Sequence, residues 1–77
     1  MDKEIAEKMI KKMLELSSEF SEIANTIKKN CDEKEFITYR NGIGKILADI
    51  FDYLMLPIFR NYPDLIPEEL KHLKDKI

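Results

Sequence analysis

One cysteine, Cys31, and one histidine, His72, leave nothing for an intrachain disulfide and too few soft ligands for a structural zinc site. No excess of basic charge is present either. Fifteen acidic residues stand against 13 basic ones, for a net charge of −2. Residues 1–35 carry seven Lys and nine Asp or Glu, and residues 36–77 carry six of each sign. Neither half offers the concentrated basic face that tracks a phosphate backbone, so no nucleic-acid partner is expected. Long hydrophobic runs are missing too. The longest, Tyr53 to Phe59, contains Pro57 and falls far short of the roughly 20 residues that cross a bilayer. Asp2, Lys3, Glu4 and Glu7 interrupt any apolar run of a secretory leader. A cytoplasmic protein without a membrane partner is the expectation.

What the chain does have is an alternation of apolar and charged residues, 44% and 36% of its 77 positions. A domain this small buries too little surface for a comfortable margin of stability. With disulfides and zinc set aside, a partner chain is the economical remedy.

The apolar spacing is helical. Ala6, Met9, Met13, Leu16, Phe20, Ile23 and Ile27 recur at alternating intervals of three and four, a heptad seam over three heptads. Ile5, Ile10, Leu14 and Ala24 widen it. Acidic residues at the start and Lys28 and Lys29 at the end suit the macrodipole of a helix over 3–29. Asp32 followed by Glu35 opens a second helix, over 33–56. Its broad apolar arc includes Ile43, Leu47, Ile50, Phe51 and Leu54. Asn41-Gly42 after Phe36-Ile37-Thr38-Tyr39 is also a hairpin signal. The residues from Ile43 onward repeat at 3.6 rather than 2, which favours a helix, with a kink at 42–44 or glycines that admit a crossing helix. Pro57 should end or kink this helix. Pro63 and Pro67 bracket a turn, and a short third helix follows over 67–76, with Ile66, Leu70, Leu73 and Ile77 as its apolar face.

The fold class is therefore all-α: an antiparallel hairpin of two long helices plus a short C-terminal helix, in a single domain. The short third helix covers only part of the two arcs. Pairing two hairpins into a four-helix-bundle homodimer would cover the rest, and a compact three-helix monomer is the competing arrangement. Met9, Met13, Leu16, Phe20, Ile23, Ile27, Ile43, Leu47, Ile50, Phe51 and Leu54 are the candidate core or dimer-interface residues.

Candidate chemistry is sparse. Glu69 and His72 match a Glu-x-x-His spacing used by di-metal bundles, but one copy lacks the companion carboxylates. Glu15, Glu19 and Glu22, interleaved with Ser17, Ser18 and Ser21, read as a solvated face. Two lysines before Cys31 could lower its pKa, but with no general base beside it an ordinary loop cysteine is the expectation. Tyr39, Tyr53, Phe59, Arg60 and Tyr62, gathered around Pro57, either anchor a protein interface or pack the third helix against the bundle. No cofactor, metal site or catalytic group is expected. The sequence points to a non-catalytic protein–protein interaction or regulatory module, with a homodimer or another protein as partner. The alternative is a small-molecule or anion binder using Arg40 and Lys45 around Gly42 and Gly44.

Overall fold

The computed structural model describes the backbone of residues 1–76 and the side chains of residues 1–72. Every regular element among them is helical. Helix α1 spans Lys3–Asn30, 28 residues and about 42 Å at 1.5 Å per residue. Asp2 caps it, its carboxylate accepting the Ile5 N–H at 2.9 Å. At the far end the Cys31 N–H donates to the Ile27 carbonyl at 2.9 Å, and extended backbone at Cys31 stops the helix. Asp32 starts α2, Glu33–Ile50, by accepting the Glu35 N–H at 2.8 Å. The chain thus reverses between the Cys31 end of α1 and the Asp32 cap of α2, and the long helices fold back on each other.

Gly42 and Gly44 lie inside regular α2, with no positive φ among the described residues. The helix there is unbroken. A Cβ built on either glycine would meet nothing within 4 Å, so neither serves a close crossing within the chain. The interruption comes later. Phe51–Met55 form a π turn, and α3, Leu56–Asn61, continues the same rod. Pro57 does not end the helix as its chemistry suggested. The Leu56 N–H reaches back five residues to the Phe51 carbonyl, and this widened turn sits where a proline ring would crowd the preceding carbonyls.

Tyr62 leaves helical geometry, and Pro63–Leu65 make a short 3₁₀ turn. Glu68–Lys76 follow as a nine-residue 3₁₀ segment rather than the expected α-helix. Within it Lys71 pairs with Glu68 at 2.7 Å. The expected apolar positions Leu73 and Ile77 lie outside the described residues.

The core occupies the open end of the hairpin, away from the Cys31 turn. Ala6, Ile10 and Met13 of α1 pack with Met55 of the π turn, Ile58 and Phe59 of α3, and Ile66. Leu65, Tyr62 and Leu70 close over them. Among the described residues Phe59 is the one large side chain with no exposure, and it tilts against Phe51 with ring centroids 6.3 Å apart. Toward the turn the helices touch through half-buried Ser17, Phe20, Ala24, Ile27, Phe36, Ile43 and Leu47, and nothing in α2 is fully buried.

Truncating the centre of this core should be costly. Phe59→Ala is expected to lower unfolding free energy by about 3–5 kcal/mol in chemical denaturation; an unchanged midpoint would contradict its central place. Gly44→Ala, with open space around the new methyl and helical φ, should stabilise by up to about 1 kcal/mol. A loss of stability in the same measurement would show that something approaches that position.

Candidate functional site

The described side chains leave several large apolar groups in water. On α1, Leu16 (41% exposed) and Ile23 (49%) stand out, with Ile5 beyond them and half-buried Met9 between. Seven positions on an α-helix fall only about 20° short of two full turns, so Met9, Leu16 and Ile23 share one direction. Ile5 and Met9 line a shallow apolar groove with Met13 and Leu54, edged by Lys8 and Lys12. That groove puts Leu54, from the second rod, on the same side of the hairpin.

Tracing back along that rod from Leu54 (47% exposed) leads to Ile46 (47%) and Tyr39. The steps are seven and eight residues. The π turn supplies the extra residue, because its wider winding delays the return of the stripe by about one position. One face of the hairpin therefore carries Leu16 and Ile23 beside Tyr39, Ile46 and Leu54, with Ile5 at its open end. The 3₁₀ segments close over the buried core and leave these residues exposed.

The candidate interface residues fall into three groups. Met13 is buried in the core. Met9, Phe20, Ile27, Ile43, Leu47, Ile50 and Phe51 are half-buried, Met9 at the edge of the groove, and Leu16, Ile23 and Leu54 face outward. Sequence reasoning did not place Ile58 in the core because it ended the helix at Pro57; Met55 fell within its second helix, and Phe59 among the residues that either anchor an interface or pack the third helix. It named Tyr39 as an interface-type residue but set neither Tyr39 nor Ile46 on the helix face with Leu54. The signal for them was the spacing of seven, hidden by the π turn that follows.

Arg40 and Lys45 are both exposed. Arg40 lies over the Phe36 ring, 5.6 Å from its centroid. Five positions separate the two cations, about 140° around the helix, so their side chains leave α2 in different directions. Ser17 and Ser21 turn their hydroxyls to the carbonyls four residues back, at 3.0 and 3.2 Å, and Glu15 approaches Lys12 at 3.8 Å. His72 is exposed. No cluster of three or more His, Cys, Asp or Glu with metal-binding geometry occurs among the described residues. No described helix is long and apolar enough to cross a membrane.

At the open end, Met1, Pro57, Ile58, Asn61 and Tyr62 border a cleft. The Tyr62 hydroxyl donates to the Met1 carbonyl at 2.7 Å, and Lys3 pairs with Asp64. These contacts tie the start of α1 to the turn after α3, and the carboxylate of Asp64 raises the pKa of Lys3.

Nothing known resembles this chain closely enough to lend it a role: no family model, curated protein or solved structure matches it.

The lysines before Cys31 do not activate its thiol. Loss of solvent around the thiol, then Glu35 and Asp32 beside it, pushes its pKa above the ordinary thiol value. The two preceding lysines belong to the end of α1, while the thiol sits at the C-cap among carboxylates of the next turn. Alkylation by iodoacetamide should therefore follow a pH–rate curve whose midpoint lies above that of an uncharged, end-blocked cysteine peptide measured alongside. A midpoint at or below that reference would restore an activated thiol.

Proposed function

We propose that this protein is a non-catalytic protein–protein interaction module that acts as a homodimer, two hairpins closing face to face into a four-helix bundle. The observation that supports this reading is the outward apolar face formed by Leu16, Ile23, Tyr39, Ile46 and Leu54. Contiguous apolar surface of this kind marks association sites on small proteins. Two-fold pairing suits it because one patch then serves both partners. The dimer would also relieve the thin packing of the Cys31 end, where a second hairpin buries what one hairpin leaves half-covered. Regulatory contacts with other proteins would use the charged outer surface that the bundle keeps in water.

Light scattering coupled to size exclusion tests this directly. The expected mass is twice the 9.1 kDa of one chain, and Leu16→Lys should return it to one chain with helical circular dichroism retained. A concentration-independent monomer for the unaltered protein would overturn the proposal.

A further inference from the structure

We infer that the occupant of this face is a second copy in one particular register: α1 lies antiparallel on α1 of its partner, and the second rod likewise on its counterpart. The two-fold axis crosses the hairpin at Leu16 and Ile46. This rests on the dimer reading above and adds its geometry.

The level of the axis follows from the hairpin itself. Leu16 stands 15 positions before Cys31 and Ile46 stands 14 after Asp32, so both lie about 21–23 Å from the turn. Each is the midpoint of its own ladder. Met9 and Ile23 flank Leu16 by seven, while Tyr39 and Leu54 flank Ile46 by seven and, across the π turn, eight. Rotation about an axis through both midpoints superposes each ladder on itself reversed. Met9 then meets the partner's Ile23, and Tyr39 meets the partner's Leu54.

Charge on α1 selects this arrangement. Lys8 and Lys12 edge the apolar groove at one end of the ladder, and Glu19 and Glu22 lie beyond its midpoint. Lys12 and Glu19 lie about 40° and 60° round from Leu16 on the same flank, so reversal sets Lys12, now near Glu15 of its own helix, beside the partner's Glu19, with Lys8 and Glu22 further round the same edge. On the second rod, Lys45 and Asp49 straddle Ile46 and exchange partners in the same way. The extent is adequate as well. The molecule is 44 Å long and 20–23 Å across, so a face along its length offers on the order of 800 Å² per partner, the scale of a standard interface.

Two readouts test the register separately from dimerisation. In a Cys31→Ser background, Leu16→Cys should oxidise to a covalent dimer, because residues at the axis of two packed helices come within disulfide range. If α1 instead packs on the partner's second rod, Leu16→Cys will stay reduced while Leu16→Cys/Ile46→Cys crosslinks. That result overturns the register and leaves the dimer standing. Lys8→Glu/Lys12→Glu and Glu19→Lys/Glu22→Lys should each weaken self-association at low salt, by on the order of tenfold. An equimolar mixture of the two should recover full affinity as a heterodimer. Two variants that remain weak when mixed, with helicity intact, would exclude the α1-on-α1 pairing. A monomeric parent protein by light scattering would mark the failure of the dimer reading instead.

Discussion

The winding of one turn governs the second half of this molecule. Between Phe51 and Met55 the backbone bonds over five residues instead of four, and everything after it is rotated by about one residue's angle relative to a straight helix. With that rotation Ile58 and Phe59 face Ala6 and Ile10, and Leu54 moves onto the outer stripe with Ile46. Without it the same residues would be turned by roughly 100°, exposing Phe59 and breaking the stripe. Pro57 is the local reason for the irregularity. A proline in a rod lacks a donor and crowds the carbonyl behind it, and a widened turn just upstream relieves both faults.

The consequence is an uneven body. Among the described residues, all seven buried apolar side chains cluster at the open end, where α1, the π turn, α3 and Ile66 converge. The Cys31 end is held by the Asp32 cap, the Cys31 N–H bond to the Ile27 carbonyl and a half-buried seam. Local opening free energy follows the density of buried contacts, so the two ends of one hairpin differ in how readily they breathe. The outer apolar face spans both ends, which is why covering it matters most where the chain's own packing is thinnest.

Much of this was legible from residue spacing. The three-four alternation on α1 gave its extent to within a residue, and Asp32 announced α2 through a carboxylate placed three residues ahead of an amide it could accept. The helical period after Ile43 outweighed Asn41-Gly42 as a turn signal, and the structure is helical there. Pro57 misled because a single-residue rule describes a regular helix, whereas a π turn is a cooperative answer of several residues. The ladder Tyr39-Ile46-Leu54 stayed hidden for the same reason, since its period changes midway. The direction of the Cys31 pKa was also hidden. Lys28 and Lys29 neighbour it in sequence, but the helix end leaves Asp32 and Glu35 as its electrostatic company.

The position of the core also bears on how the chain acquires its shape. Ala6 and Phe59 meet across about fifty residues of intervening chain, so the tight reversal at Cys31 cannot by itself bring any core pair together. The local turn nucleates only the weakly packed end, and the entropy of closing the long loop falls on the step that joins the open end. On a ribosome, α1 would emerge and wind early yet remain without its apolar counterpart until the segment through Ile66 had followed. A nascent chain at that stage presents a long amphipathic helix with no intramolecular cover, the kind of intermediate that invites either a chaperone or a second chain.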